Sequence, residues 1–348
     1  MKIVHICAGM ERTNGAAVVA AAFAREQARL GHDVLFATTE AANEPNTLTV
    51  AQVTKSAFAR TRLPILSRFC FSAPMFRSLK DLCRNADLIH VHCDWTFPVW
   101  WGAFVASRVR ARLIFTPHGS FDPIRLRHGC LRKRLVASLD RRIVRTAEFV
   151  HVTSAAEAEW IRAFEPHVRR IVLVPPGVDL PPPSPSPAPD DARPLRVLYL
   201  GRRHPLKGID LLEEAVRDLP IDLRIESHAF GDDKETAFAW CDLLCLPTRS
   251  ENFGLVVAEA LAHGRPVVTT KAAPWAELVA RRCGWWTDVS ANALREAMLD
   301  ALRLPRAELR AMGDRGRDWM AADYSWSVRT QALMSAVNEP NAVTAPTP

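Results

Sequence analysis

The sequence contains no Cys-x-x-Cys pair, although eight of its 348 residues are cysteines. Zinc ribbons and thioredoxin-like redox sites use such closely spaced pairs, so the cysteine pattern favours neither class. Several cysteines lie inside apolar runs, as Cys7 and Cys245 do. The pattern therefore predicts buried free thiols in a reducing compartment rather than a disulfide framework.

Long apolar runs are also missing, since no stretch approaches the roughly 20 apolar residues that a membrane-spanning helix needs. The first residues, Met1-Lys-Ile-Val-His-Ile-Cys7, predict a short strand followed by a glycine turn, which is not the pattern of a signal peptide. The sequence thus predicts a cytoplasmic protein. Peripheral attachment to the inner face of the cytoplasmic membrane stays open because the chain is basic.

A third missing pattern is Gly-x-Gly-x-x-Gly, the phosphate loop of dinucleotide-binding domains, so dinucleotide binding has little support. The chain nevertheless opens with a predicted strand, helix and strand, over residues 2–7, 16–29 and 33–38. This alternation is typical of doubly wound α/β domains with a parallel sheet. A length of 348 residues is sufficient for two such domains.

The most informative segment is residues 240–268, which predict a buried strand, a polar loop, a helix and another strand. Pro247 ends the first strand because it has no N–H to donate to a sheet. From Gly254 onward the apolar residues recur at helical spacing, and a Gly-Arg-Pro sequence ends the helix. Glu251 therefore falls in the loop, and Glu259 falls about one and a half turns into the helix.

The start of this helix is a predicted anion site. Its first backbone N–H groups, those of residues 252–255, have no partner within the helix and meet the positive end of the helix dipole. A diphosphate suits such a site. Glu251 and Glu259 flank it, and carboxylates accept hydrogen bonds from paired sugar hydroxyls. A diphosphate between two polyols is a nucleotide sugar, so the whole segment favours a nucleotide-sugar site over two unrelated solvated glutamates.

This segment resembles the signature of the retaining family 4 glycosyltransferases, the group 1 enzymes of the two-Rossmann GT-B fold. The resemblance lies in Ser250-Glu-Asn-Phe-Gly254, in the Glu251 and Glu259 pair, and in Ala262-His-Gly-Arg-Pro-Val-Val268. It implies that Glu259 contacts the ribose and that Glu251 contacts the transferred sugar. It also implies that phosphate and sugar are held by the backbone amides of Asn252, Phe253, Gly254 and Leu255.

The resemblance assigns further donor-site residues outside this segment. Arg202 and Lys207 lie in a glycine-flanked loop and match the family's phosphate-binding pair, since such cations can clamp a diphosphate. His118 follows a predicted strand, at the edge where α/β sheets bind ligands, and matches the family's donor-sugar histidine. Asn14 and Gly15 occupy the family's first sugar-facing loop, although its usual Gly-Gly pair is absent. The predicted catalytic residues are His118, Glu251, Arg202 and Lys207.

The implied fold is α/β, with two Rossmann-like domains facing a cleft. The expected parts are an acceptor-side domain (1–180), a proline-rich linker (181–194), a nucleotide-sugar domain (195–320), a helix that crosses back (321–338) and a disordered tail (339–348). Only 44 positions separate Lys207 from Glu251, with room for two helices and two strands. The family usually has one further α/β unit there. The second domain is therefore expected to be shortened, and residues that contact the base cannot be assigned.

The chain carries a formal charge of +7 and has a pI near 9.2. Within residues 125–145, eight Lys or Arg residues stand against Asp140 alone, with leucines interleaved. This pattern predicts a basic amphipathic helix, which either lies on an anionic membrane or presents an ordinary solvated face. Nucleic acid is a third explanation for the charge, but no recognisable binding motif accompanies it, so no nucleic-acid partner is expected.

These features predict a retaining hexosyltransferase that moves a sugar from a UDP- or GDP-linked donor to a lipid-linked or glycan acceptor. Residues 269–286 resemble bacterial enzymes of lipopolysaccharide and exopolysaccharide synthesis. No cofactor is expected, and no metal, because no Asp-x-Asp pair is placed to hold a nucleotide-bound cation. One alternative is a non-catalytic nucleotide-sugar binder or scaffold, which the shortened domain favours. A second is a nucleic-acid-binding protein. A third is a GT-B phosphorylase, which would need a longer chain and a lysine-bound cofactor.

Overall fold

The computed structural model describes residues 1–11, 14–40, 48, 50–93, 95–127, 130–182, 191–227 and 229–339. The chain forms two compact units, one of Met1–Pro175 with Thr330–Pro348 and the other of Pro176–Arg329. Most of the predicted linker, residues 183–190, lies outside the described residues, and so does the predicted tail from residue 340 onward.

The first unit is built on a seven-stranded parallel sheet. Its strands are β1 (Lys2–Cys7), β2 (Asp33–Glu40), β3 (Thr54–Ala59), β4 (Leu88–His92), β5 (Arg112–Thr116), β6 (Phe149–Val152) and β7 (Ile171–Leu173). They lie in the order β3-β2-β1-β4-β5-β6-β7, which is the strand order of a Rossmann-like domain. The central strands β1, β4 and β5 are buried almost throughout, as strands are when both faces of a sheet are covered.

Some helices of this unit begin at a residue whose side chain caps them. The helices are α1 (Gly15–Arg29), α2 (Pro64–Ser67), α3 (Ala73–Leu82), α4 (Phe97–Val109), α5 (Pro123–Arg127), α6 (Cys130–Thr146) and α7 (Ala155–Phe164). At the start of α7 the Ser154 hydroxyl accepts the N–H of Glu157 at 3.2 Å. This bond satisfies one of the N–H groups that a helix start leaves unpaired. Ser154 is therefore the N-cap of α7.

The second unit is built on a five-stranded parallel sheet in the order β12-β11-β10-β8-β9. The strands are β8 (Leu195–Leu200), β9 (Ile221–Glu226), β10 (Leu243–Leu246), β11 (Val267–Thr270) and β12 (Gly284–Thr287). Around them lie α8 (Ile209–Ala215), α9 (Asp232–Trp240), α10 (Leu255–Ala262), α11 (Glu277–Ala280), α12 (Ala291–Arg303) and α13 (Arg306–Asp323). Between Lys207 and Glu251 the described chain forms α8, β9, α9 and β10, so the predicted two helices and two strands are confirmed.

One helix prediction in this unit is wrong. The sequence pattern predicts a single helix over residues 291–312, whereas the structure has α12 and α13 with a break between them. Leu304 is extended there, with φ −82° and ψ 138°. Pro305 causes the break, because a proline forces the preceding residue out of the helical conformation and has no N–H to donate.

The last helix, α14 (Trp326–Asn338), spans the division between the two units. Its second half packs in the first unit, where Leu333 and Val337 are fully buried. The side chain of Gln27 reaches the Met334 sulfur at 3.5 Å. The predicted terminal helix is therefore present but begins at Trp326, because residues 321–323 still belong to α13, and it lies beside α1.

Both units have an apolar core of their own. Five of the seven cysteines whose side chains are described are buried, and no disulfide joins any of the seven, as predicted. No helix within the described ranges combines the length and the apolarity needed to cross a bilayer.

Candidate functional site

The loop of residues 201–208 connects β8 to α8 in the second unit. Arg202 extends an exposed side chain from it, with no partner in the described part of the chain. The backbone beneath is fixed, because the Tyr199 hydroxyl donates to the Arg202 carbonyl at 2.9 Å. Gly208 ends the loop with φ 66°, and a Cβ there would lie 2.0 Å from the Pro247 carbonyl oxygen. This close approach holds the loop against the segment that follows β10.

Lys207 and Glu251 form an ion pair in which the Lys207 ammonium bonds Glu251 Oε2. The two side chains are only 19% and 11% exposed. Burial raises the pKa of Tyr199 to about 12, and the nearby negative charge of Glu251 adds to the effect. The structure thus joins the predicted phosphate-binding cation to the predicted sugar-binding carboxylate.

The start of α10 has unpaired backbone donors. Gly254 precedes the helix with φ 84°, a conformation that strains any residue with a side chain. Within the described residues, the N–H groups of Phe253, Gly254 and Leu255 have no acceptor. The prediction that the N–H of Asn252 is free as well is wrong, because Glu251 Oε1 accepts it at 3.2 Å. Three donors therefore remain at the positive end of the helix, where anions bind.

Glu259 lies in α10 and pairs with Lys234 of α9, with 2.5 Å between Glu259 Oε1 and Lys234 Nζ. The two side chains are 23% and 26% exposed, and the second oxygen of Glu259 has no partner among the described residues. A hydroxyl can therefore approach that oxygen from solvent. Sequence reasoning missed Lys234, whose only signal is its position shortly after Gly231 at the start of a predicted helix.

His118 follows β5 at the carboxyl edge of the first sheet. Its φ is 53° and that of Gly119 is 76°, so the chain makes a left-handed turn directly after the strand. For a residue with a side chain this conformation is uncommon, and it persists only where neighbours hold it. Here the buried Glu157 carboxylate accepts the N–H groups of Gly119 and of Thr153, the latter at 2.7 Å. The ring is also held, because Nε2 lies 3.1 Å from His92 Nδ1.

His118 is neutral at physiological pH. Burial, together with a smaller effect of the nearby His151, lowers the pKa of His118 to about 3. The ring is partly exposed, and Nδ1 has no partner in the described part of the chain. A neutral imidazole can bind a sugar hydroxyl but brings no positive charge toward a diphosphate.

Asn14 and Gly15 lie at the same sheet edge, after β1. The Asn14 side chain accepts the N–H of Ala16 at 3.1 Å and so caps α1. Gly15 is exposed and is the first residue of the helix. In the sheet, β4 lies between β1 and β5, so both residues share an edge with His118. Their contact with a donor sugar stays a prediction.

The predicted basic amphipathic helix is confirmed in α6. Leu131, Leu135 and Leu139 recur every four residues on one face and are 72%, 77% and 43% exposed. Asp140 and Ile143 lie on the other face and are buried. Isolated exposed leucines are ordinary on a protein surface, whereas these three lie in a row between arginines.

The short helix α2 extends this exposed apolar row. Leu63 and Ile65 are 60% and 73% exposed. An Arg132 guanidinium N–H of α6 donates to the Arg68 carbonyl just after α2 at 3.3 Å, so the two helices adjoin. We call this region the leucine–arginine surface, defined as Leu63, Ile65, Leu131, Leu135, Leu139, Arg132 and Arg134.

Two protein-family models match the sequence. The model described as Glycosyltransferase Family 4 matches residues 13–181, and the model described as Glycosyl transferases group 1 matches residues 220–303. Over these residues the chain is similar to the family 4 and group 1 glycosyltransferases. The group 1 match contains Lys234, Glu251 and Glu259, and the family 4 match contains His118.

Sequence relatives of this protein include two named D-inositol 3-phosphate glycosyltransferase. The one from Xylanimonas cellulosilytica is 28% identical over 235 residues, which cover 52% of this chain and 55% of that protein. The one from Segniliparus rotundus is 27% identical over 307 residues, which cover 72% of this chain and 65% of that protein. The chain thus spans between about half and two thirds of the length of these relatives.

Solved glycosyltransferase structures share the fold. Sucrose-phosphate synthase from Thermosynechococcus elongatus superposes with a TM-score of 0.78 at 19% identity, covering 97% of this chain and 98% of that one. HepE from Anabaena in complex with UDP and glucose superposes with a TM-score of 0.75 at 17% identity, covering 97% and 99%. At these identities the likeness establishes the fold alone, which is the predicted GT-B arrangement of two parallel α/β domains.

Proposed function

We propose that this protein is a retaining glycosyltransferase that moves a sugar from a UDP- or GDP-linked donor to a hydroxyl acceptor. The observation that carries the proposal is the start of α10, where the three unpaired N–H groups lie beside the Lys207–Glu251 pair. The closeness is direct, since a Cβ on Gly254 would lie 3.2 Å from Glu251 Cγ. Hydrogen-bond donors suited to a diphosphate therefore lie next to the Glu251 carboxylate, which can accept hydrogen bonds from sugar hydroxyls.

The proposed chemistry at this site is electrostatic. As the bond to the sugar breaks, negative charge builds up on the departing diphosphate, and fixed donors and cations stabilise that charge. The Lys207 ammonium has three N–H groups, so it can hold Glu251 and a phosphate oxygen together. The unpartnered Arg202 adds a second cation with fork geometry. These groups perform the task that a metal ion performs in other transferases, which supports the prediction that none is needed.

The remaining roles follow from which atoms are free. Glu259 offers an oxygen not used by Lys234, which suits a ribose hydroxyl. Glu251 and the neutral His118 bind hydroxyls of the donor sugar. UDP is the first nucleotide to test, because HepE of the same fold was solved with UDP and with UDP-glucose.

The test of this function is nucleotide release followed by product analysis. UDP- and GDP-sugars are incubated with the protein and candidate acceptors in the presence of EDTA, and the anomeric configuration of any product is read by NMR. We expect acceptor-dependent release of the nucleoside diphosphate that continues in EDTA, and a product with the donor's configuration. Inversion, or release that stops in EDTA, would rule out the proposed mechanism.

The proposed acceptor is a lipid-linked or glycan hydroxyl at a membrane, as in lipopolysaccharide or exopolysaccharide synthesis. The leucine–arginine surface supports this choice, because apolar side chains between arginines suit the headgroup region of an anionic bilayer. A phosphorylated polyol is the second candidate, since the two relatives are named for inositol 3-phosphate. Acceptors of both classes belong in the assay.

The double variant Leu131→Asp with Leu135→Asp tests membrane attachment. We expect its affinity for phosphatidylglycerol vesicles to fall at least about 100-fold, because each buried leucine contributes roughly 1.5–3 kcal/mol and aspartate is repelled by the surface. Sedimentation with vesicles measures the loss. Val279→Asp, at a residue 57% exposed on α11, is the control and should bind as the native protein does. Equal loss in both variants, or no binding by the native chain, would remove this partner.

A further inference from the structure

The core of the first unit contains a row of histidine rings. They lie on β1, β4 and β6 and directly after β5: His5, His90, His92, His118 and His151. All except His118 are fully buried. Burial lowers the pKa of His5 and of His151 to about 4, so these rings are neutral at physiological pH.

Three hydrogen bonds connect Gln27 of α1 to His118 through two of these rings. Gln27 Oε1 lies 2.6 Å from His5 Nε2. His5 Nδ1 lies 2.9 Å from His92 Nε2, and His92 Nδ1 lies 3.1 Å from His118 Nε2. A neutral imidazole has one donor nitrogen and one acceptor nitrogen, so the first bond determines the direction of all the others.

Gln27 sets that direction. Its amide nitrogen faces the Met334 sulfur at 3.5 Å, which accepts a hydrogen bond but cannot donate one. The amide oxygen therefore faces His5 and accepts from Nε2–H. His5 Nδ1 is then a bare acceptor, which requires the proton of His92 on Nε2. By the same step His118 carries its proton on Nε2 and has a lone pair on Nδ1.

A second series of hydrogen bonds lies beside the first, and its donors and acceptors are assigned in the same way. His151 Nε2 donates to the Val174 carbonyl at 2.8 Å, so its Nδ1 accepts from the Thr116 hydroxyl at 2.9 Å. That hydroxyl in turn accepts from His90 Nε2 at 2.7 Å. No hydrogen bond of this second series reaches His118, which makes it a natural control.

Three of these rings are also near enough to share a metal ion, since ligand nitrogens of His5, His90 and His92 lie within 4.8 Å of one another. The hydrogen bonds indicate that protons, and not a metal ion, lie between these rings. The proton of His92 Nε2 lies between the two rings and is donated to His5 Nδ1, so neither nitrogen is free. A dication would also be buried in a set that contains no carboxylate, which is costly.

We propose that Gln27, His5 and His92 are positioning residues that fix the tautomer of His118. They hold its proton on Nε2, facing His92, so that Nδ1 accepts a hydrogen bond from a hydroxyl of the donor sugar. The proposal rests on the donor-sugar role proposed above for His118. A fixed tautomer would add specificity for the donor sugar. His118 Nδ1 can only accept a hydrogen bond, so a sugar that has no hydroxyl at that position binds less well.

Nitrogen-15 NMR of histidine-labelled protein tests the tautomer directly and needs no sugar. The His118 signals are assigned by their loss in His118→Gln. In the native protein we expect a single tautomer with the proton on Nε2. In Gln27→Leu the His5 Nε2–H would be buried without an acceptor. Reversing the direction of the hydrogen bonds from His5 through His92 to His118 removes this cost. We then expect the tautomer with the proton on Nδ1 to be at least equally populated.

Matched variants separate this role from a merely structural one. Thr116→Val cuts the second series at an equally buried residue and should leave the His118 tautomer unchanged. Gln27→Glu restores an acceptor and should restore the single tautomer. His5→Phe breaks the next link and should act as Gln27→Leu does, so the result does not depend on one variant.

A native mixture of tautomers, a native proton on Nδ1, or a tautomer unchanged in both Gln27→Leu and His5→Phe would overturn the proposal. The function is judged separately, by donor binding to His118→Gln. If that variant binds donor as the native protein does, the sugar contact fails even where the tautomer result stands.

Discussion

Replacing Lys207 with methionine is expected to lower kcat for nucleotide release about 10²–10³-fold, the loss that follows removal of one preorganised donor from a developing charge. Two effects act together. The diphosphate loses a cation, and Glu251, only 11% exposed, loses its ion-pair partner. The measurement is the steady-state rate of diphosphate release with the donor found in the assay above.

Lys271→Met is the control for this prediction. Lys271 is 49% exposed and pairs with the exposed Asp288, so its removal should change the rate less than twofold. Circular dichroism and the melting temperature of both variants exclude loss of fold as the cause. A Lys207→Met rate within threefold of the native rate would mean that this cation does not act on the reaction.

Gly208→Ala is expected to lower the free energy of unfolding of the second unit by about 3 kcal/mol or more. A side chain at φ 66° costs about 1–2 kcal/mol. The added Cβ would also lie 2.0 Å from the Pro247 carbonyl oxygen, and backbone on both sides must move to relieve this clash. Urea unfolding followed by tryptophan fluorescence measures the loss.

Gly31→Ala separates the two causes. Gly31 has φ 84°, but nothing lies within 4 Å of a Cβ built there, so only the conformational cost of about 1 kcal/mol is expected. Equal losses in the two variants would mean that the chain relaxes around Gly208 and that the close approach to Pro247 is not a constraint. Lys207 would then be held by the ion pair alone.

Local patterns predict the elements of this protein because proline, glycine and capping residues mark their ends. Gly254 and the apolar residues after it predict the start of α10, and with it the positions of Glu251 and Glu259. The error over residues 291–312 came from the same kind of reasoning, since apolar spacing continues across Pro305 while the backbone does not.

Contacts between elements could not be predicted in this way. Lys234 reaches Glu259 only because α9 lies beside α10 in space. The N–H of Asn252 is occupied because the Glu251 side chain folds back onto it, a choice of rotamer that no spacing reveals. Likewise, the bond between His5 and His92 requires β1 and β4 to be neighbours, which is a property of sheet order.

Thermal stabilisation by nucleotide sugars, on the native protein and on Glu259→Ala, tests the donor site most directly. UDP-, GDP- and ADP-sugars are compared at millimolar concentration. We predict that one nucleotide class raises the melting temperature of the native protein, because a ligand at 100 times its Kd adds about 2.7 kcal/mol of stability. The shift should be lost in Glu259→Ala. No shift with any nucleotide would contradict the donor site and favour a non-catalytic scaffold of the same fold.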